Sequence, residues 1–269
     1  MRGETGSRQR RIIPLASHLL LLTSCAGVTP LTNHIEVGQE PFVIAVGEGP
    51  DGQTDLYAAP AGGGAFTRLT FSRPAERFPK ISPDGRTVAF LRATRGASGP
   101  PWSLVILNLL TNAERATPLP PDAEPDRLGW SRDGTRVVLS AQGYFVIAAP
   151  PDAPAIGRIP PDSLALGDSL SGELLGDPPR GMVRECPSGG LCIVAGTGEI
   201  TPLDAVASDA VHWGADSLGY FLPGGFEVRP LAGGHSRHPA WVGAPARLRQ
   251  LTYHPGAQVT ISSGVSGIR

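Results

Sequence analysis

The stretch P-K-I-S-P-D-G-R-T-V-A-F, Pro79 to Phe90, sets an Asp-Gly pair directly before a run of β-branched and aromatic residues. Asp-Gly supplies the positive-φ conformations that a tight hairpin turn needs, and the alternating apolar run behind it reads as a strand packed on a core. The pattern returns in W-S-R-D-G-T-R-V-V-L, Trp130 to Leu139. With Ile81 and Trp130 numbered zero, aspartate falls at plus three (Asp84, Asp133), glycine at plus four (Gly85, Gly134) and valine at plus seven (Val88, Val137). Three more segments follow it in weaker form: C-P-S-G-G-L-C-I-V from Cys186, W-G-A-D-S-L-G-Y-F from Trp213 and W-V-G-A-P-A-R-L from Trp241. Their plus-seven residues are Ile193, Tyr220 and Leu248, and Asp216 again stands at plus three.

The rest of the unit recurs as well. D-L-Y-A-A-P-A-G-G (Asp55–Gly63) matches F-E-V-R-P-L-A-G-G (Phe226–Gly234), each a strand ending in a Gly-Gly turn. S-L-V-I-L-N-L from Ser103 and Y-F-V-I-A-A from Tyr144 fill the same slot, and F-T-R-L-T (Phe66–Thr70) reads as an outer strand. Four antiparallel strands per repeat predict an all-β fold, a β-propeller of four-stranded blades. The 35 glycines and 28 prolines of the 269 residues, spread along the chain, agree with many short strands joined by turns. The zero positions are spaced by 49, 56, 27 and 28 residues, so the late blades read as reduced and an insertion falls around Pro160–Pro179. Counting the strand Phe42–Val46 as an opening blade without its inner strand gives six units. A C-terminal strand, placed at Gln258–Ser262, would then close the ring.

The N-terminus reads differently. Arg2, Arg8, Arg10 and Arg11 precede an apolar run from Ile12 to Leu22, the basic and hydrophobic parts of a secretory signal. Leu22-Thr23-Ser24-Cys25 resembles the lipobox of bacterial lipoproteins. That resemblance implies cleavage before Cys25, lipid attachment to its thiol and, with Ala26 next, delivery to the periplasmic face of the outer membrane. The expected divisions are a signal peptide over 1–24, a lipidated tether over 25–40 and the propeller over 41–269. Without residues 1–24 the chain keeps 19 basic and 23 acidic side chains, formally −4, which gives no basic stripe for nucleic acid.

The segment DLYAAPAGGGAFTRLTFSRPAERFPKISPDGRTVAFLR, Asp55 to Arg92, resembles the repeat of TolB-type (WD40-like) propellers, specifically over roughly residues 40 to 145. The resemblance implies a six-bladed, non-enzymatic propeller in the bacterial envelope, with a protein or peptide partner captured at the central funnel.

Candidate chemistry is sparse. Cys186 and Cys192, at positions zero and six of one repeat, face each other across a three-residue loop and predict a cross-strand disulfide in an exported protein. Two buried thiols are the alternative. G-H-S-R-H (Gly234–His238) lacks the last glycine of a nucleophile elbow, and the 31 residues after His238 leave no room for a hydrolase sheet. His235, His238 and His254 read as loop histidines rather than metal ligands. Asn33, Asn108 and Asn112 do not fall where a lactonase-like metal site would need them. Asp84, Asp133 and Asp216 read as turn residues. Trp130, Trp213 and Trp241 share one repeat position, which favours packing between blades over a sugar platform. No catalytic residue, metal or cofactor is therefore assigned. The leading expectation is a lipid-anchored interaction platform; the alternative is a lactonase-like enzyme or sugar binder at the funnel.

Overall fold

The computed structural model describes residues 31, 34–49, 51–93, 101–121, 123–130, 134, 136–141, 144–148, 157–159, 173–174, 182–186, 188, 190–194, 197–204, 207–214 and 216–257. Cys25, Asp133 and the proposed closing strand Gln258–Ser262 lie outside them.

Each repeat becomes a sheet. Blade 1 runs, from its inner to its outer edge, β21 (Arg247–His254), β1 (Phe42–Glu48), β2 (Thr54–Pro60) and β4 (Thr67–Arg68). Blade 2 is β5 (Glu76–Ile81), β6 (Thr87–Ala93), β7 (Trp102–Asn108) and β8 (Glu114–Pro118). Blade 3 is β9 (Pro125–Trp130), β10 (Val137–Ala141), β11 (Tyr144–Ala148) and β12 (Gly157–Ile159). Blade 4 is β13 (Glu173–Leu174), β14 (Met182–Glu185), β15 (Leu191–Val194) and β16 (Ile200–Asp204). Blade 5 has three strands, β17 (Ser208–His212), β18 (Ser217–Leu222) and β19 (Gly225–Pro230). Every pairing within a blade is antiparallel.

The period of two in the sequence explains the stacking, because blades 1, 2 and 5 are each packed on both faces. Along β1, Phe42, Ile44 and Val46 face blade 2, where they meet Val88, Phe90 and Val105. Val43 and Ala45, the residues between, face blade 5 and meet Val211, Trp213 and Val228. On β6, Val88 and Phe90 face blade 1 while Ala89 and Leu91 face blade 3 with Leu128, Trp130 and Leu139. Leu191, Leu218 and Tyr220 join blades 4 and 5.

Four expectations change. First, the strand that completes blade 1 is β21, upstream of the segment expected to close the ring: Phe42 pairs with His254 and Glu48 with Arg247. The opening and final sequence units are thus two parts of one blade, and the described residues form five antiparallel sheets. Second, Trp241 starts no hairpin. It lies in β20 (Ala240–Val242), which pairs in parallel with β3 (Gly63–Ala65), between β2 and β4 in sequence, as a separate two-stranded sheet, and its Nε1 donates to the Pro60 carbonyl at 2.9 Å. Gly63 and Gly64 take φ of 119° and 129°, and a Cβ on Gly63 would stand 3.1 Å from the Ala240 backbone. Those glycines admit the crossing strand. Third, the segment 25–40 is not a free tether along its described length. Leu31, Ile35 and Val37 are 1%, 3% and 8% exposed and sit in the core between blades 1 and 2. Fourth, the Pro160–Pro179 stretch contains a strand, β13, the inner edge of blade 4.

The sulfurs of Cys186 and Cys192 are bonded, with Cα atoms 5.2 Å apart. Their register differs from the expected one. Glu185 opposes Leu191 and the Cys186 amide bonds to the Gly190 carbonyl, so the two cysteines are diagonal neighbours on one face of the hairpin, not directly opposed. For a loop this short the chain-entropy gain is about 2 kcal/mol. Reduction, or Cys186→Ala with Cys192→Ala, is expected to lower the unfolding free energy by about that much, read by urea titration with and without a thiol reductant.

Candidate functional site: a ring of bulges on the innermost strands

The aspartates and glycines at plus three and plus four hold turns. Asp84 Oδ1 accepts from Ser82 Oγ at 2.6 Å and from the Arg86 amide at 3.1 Å. Gly85 (φ 73°) and Gly134 (φ 68°) supply the left-handed positions. Gly85 has a second duty, since a Cβ there would meet the His254 ring at 2.7 Å. Ile81 packs half-buried against the core of blades 1 and 2, and the Asp216 carbonyl accepts from the Leu231 amide. Trp130 is fixed by its Nε1 donating to the Lys80 carbonyl at 2.8 Å. Trp213 stacks on Tyr253 of the closing strand with ring centroids 4.6 Å apart.

The histidines are dispersed. His238 Nδ1 lies 3.1 Å from the Phe226 carbonyl on the outer edge of blade 5. Arg237 exchanges both backbone hydrogen bonds with Val228, so G-H-S-R-H caps that edge. His254 is buried in β21, its Nε2 on the Pro83 carbonyl and its Nδ1 accepting from the Gly256 amide. Among the described residues no group of three His, Cys, Asp or Glu side chains is placed to hold a metal.

A different feature is concentrated at the centre. In this architecture the free edges of the innermost strands border the channel, and β5, β17 and β21 each carry a β-bulge. On β5, Phe78 and Pro79 together oppose one residue, Phe90, between the pairs Arg77–Leu91 and Lys80–Ala89. On β17, Asp209 and Ala210 oppose Tyr220, and on β21, Gln250 and Leu251 oppose Ala45. The first residue of each bulge is left-handed without being glycine: Phe78 has φ 55°, Asp209 φ 50° and Gln250 φ 50°. Such a backbone costs about 1–3 kcal/mol per residue and re-aims the bulged side chain. Two bulges are tied together, because Gln250 Oε1 accepts from the Phe78 amide at 2.9 Å across 172 residues of sequence. The bulges thus place the Gln250 amide and, on Asp209, an exposed carboxylate on these strands, while the half-buried Phe78 ring packs against the core between blades 2 and 3. His212, at the end of β17, is held below its ordinary pKa by burial and is neutral at physiological pH.

Gln250→Ala strands the Phe78 amide and is expected to destabilise the protein by about 1–3 kcal/mol. Gln250→Glu keeps the acceptor and is expected to restore most of that, as measured by thermal unfolding.

A second polar cluster joins blades 1 and 2. Glu76 Oε2 accepts from Thr70 Oγ1 at 2.5 Å, and Glu76 Oε1 accepts from Arg92 Nε at 2.8 Å. Arg92 also forks onto Glu114 at 2.7 and 2.9 Å. Asp55 takes Arg68 at 2.5 Å and the Ser72 amide at 3.0 Å. Burial raises the pKa of both Glu76 and Asp55, with Arg92 and Arg68 opposing the rise. Every oxygen of the Glu76 carboxylate is engaged by the protein, so this cluster fastens blades rather than meeting a ligand. Neither cluster was visible in the sequence, since bulge residues of three unrelated types share no motif.

Radially stacked antiparallel sheets, with the last described strand completing the first blade, define a β-propeller. No protein-family model matches this chain, and no curated protein matches it in sequence. Solved structures do. The nidogen–laminin complex aligns with 10% identity over 79% of this chain and 98% of that one, at a TM-score of 0.51. TolB from Acinetobacter baumannii aligns with 12% identity over 79% of this chain at a TM-score of 0.42, and the match spans 66% of the TolB chain. An acylaminoacyl peptidase from Pyrococcus horikoshii aligns with 13% identity over 78% of this chain and 47% of that one, at 0.43. At these identities the likeness is one of fold.

Proposed function

We propose that this chain is a non-enzymatic interaction platform of the bacterial envelope, anchored by lipid on Cys25, whose channel mouth captures an extended segment of a protein partner. The observation that carries the reading is the ring of bulges. Three non-glycine residues are kept in costly backbone conformations on the strands that border the channel, and such strain persists where a structure is preorganised for a ligand. The surrounding groups suit recognition: an amide on Gln250 and an exposed carboxylate on Asp209, carried on strands fixed by packing on both faces of blade 1. One solved structure of like fold is itself a complex of two proteins, nidogen and laminin. The Leu22–Cys25 motif supports the anchor.

The test is affinity purification of the Cys25-anchored protein from crosslinked envelopes, with metal analysis of the same sample. A stoichiometric protein partner, lost on Phe78→Asn with Gln250→Ala while the fold persists, supports the platform. A bound metal without a partner overturns it in favour of a lactonase-like enzyme. Cys25→Ser is expected to move the protein from the membrane fraction to the soluble fraction.

A further inference from the structure

A cavity of about 630 Å³ opens between blades 2 and 3, on the side of the Asp-Gly turns and away from the bulges. Its volume lies within the range of small-molecule sites, roughly 300–1,000 Å³. Its floor is the Trp130 indole with Ile106, and its rim carries Asp84, Thr87, Asn108 and Arg115. Trp130 cannot swing, because its Nε1 is bonded to the Lys80 carbonyl. Trp130 is 9% exposed, whereas Trp213 packs on Tyr253 and Phe226, and the half-buried Trp241 on Phe226 and Phe66.

The rim is polar in a particular way. Asn108 Oδ1 accepts from the Leu110 and Thr111 amides, which leaves its NH2 to donate. Asp84 Oδ1 is committed to its turn, which leaves Oδ2 to accept. Glu114, also on the rim, shares Arg92 with the enclosed Glu76. Asp84 and Arg115 add one anion and one cation to the described lining. The described lining therefore offers donors, acceptors and one fixed aromatic side chain, without an excess of cations.

We propose that this cavity is a binding site for a neutral saccharide of one or two rings. The apolar C–H face of a pyranose matches the indole, and its equatorial hydroxyls match a rim of mixed donors and acceptors. A phosphorylated ligand would need an excess of cations, which the described lining lacks. The site is independent of the channel mouth and of any partner held there.

The experiment uses the full chain with methyl β-glucoside, maltose, cellobiose and N,N′-diacetylchitobiose as probes, read by tryptophan fluorescence and by calorimetry. At least one probe is expected to bind and to shift the emission. Ala113→Trp places a large side chain from an exposed rim position into the cavity, and is expected to weaken binding roughly tenfold or more with the thermal midpoint unchanged. Asn108→Asp, which keeps the turn acceptor and removes the donor, is expected to weaken it several-fold. Absence of binding by all four probes at millimolar concentration overturns the proposal. So does binding that survives Ala113→Trp, or a peptide that binds and is displaced by that substitution while no sugar is.

Discussion

Glu76→Ala is expected to lower the unfolding free energy by about 3–5 kcal/mol, the range for removing one partner of a buried ion pair. The Glu76 side chain is fully enclosed. Its loss leaves the Thr70 hydroxyl and one face of the Arg92 guanidinium without their acceptor, inside the contact between blades 1 and 2. Arg92 keeps Glu114, so the remaining charge is not orphaned, and the lower half of the range applies if Arg92 swings outward. Urea unfolding measures this directly.

Glu76→Gln separates packing from charge through pH. Because burial raises the folded-state pKa of Glu76 above 4.5, the fold binds that proton more tightly than the unfolded chain does. The contribution is therefore complete below the unfolded value and is lost as pH rises through the raised folded value. Glutamine imitates the protonated carboxyl, so the two proteins are expected to be closest in stability in acid, with the wild type losing ground to Glu76→Gln as pH rises toward neutrality. A wild type that instead gains on Glu76→Gln toward neutrality would mean that Arg92 outweighs burial.

Ending the chain at Ala246 is expected to abolish cooperative unfolding altogether. The truncation removes β21, the inner strand of blade 1, and exposes Phe42, Ile44 and Val43, each fully buried in the intact ring. It also removes Tyr253 from Trp213 and His254 from the Asp-Gly turn of blade 2. A domain stable by about 5–15 kcal/mol does not survive loss of a central strand shared by two blade interfaces. Loss of near-ultraviolet dichroism with gain of dye binding is the expected signature. Gly256→Ala gives a milder check. Gly256 has φ 75°, and a Cβ there would fall 2.2 Å from the Gln39 carbonyl oxygen. Strain alone is then worth at least about 1–3 kcal/mol, and a thermal midpoint unchanged in Gly256→Ala would contradict the closure described.

What the sequence shows and hides follows from how each feature is encoded. Asp84-Gly85 and Asp133-Gly134 announce hairpins because a tight turn restricts residue type, and the strands behind them follow from alternation. The closing strand R-L-R-Q-L-T-Y is hard to find because its bulge at Gln250 breaks that alternation. Trp241 imitates the start of a repeat, yet its tryptophan serves a parallel clasp, which has no turn signature. Leu31, Ile35 and Val37 read as tether because polar residues separate them and no period links them to a strand. The bulge ring is hidden for a stronger reason. Phe78, Asp209 and Gln250 are left-handed through tertiary constraint, against their own preferences. No motif marks Glu76 and Arg92, and only the stacking of blades reveals that Glu76 is enclosed against Arg92.

The shared blade of the two ends has a mechanical side. Phe42, where β1 begins, lies opposite His254, where β21 ends. Tension across these ends would peel the ladder one pair at a time, as a zip opens, instead of shearing all its hydrogen bonds together. The wedge of Leu31, Ile35 and Val37 stands upstream of that zip. A pull from the N-terminal side must draw three buried apolar side chains out of the core before Phe42 bears any load, and on the other end the Ala257 amide is bonded to the Gln39 carbonyl of the same segment. For a domain hung from its N-terminus, that segment works as strain relief: force is spent on a plug that can reseat, and the ring stays shut.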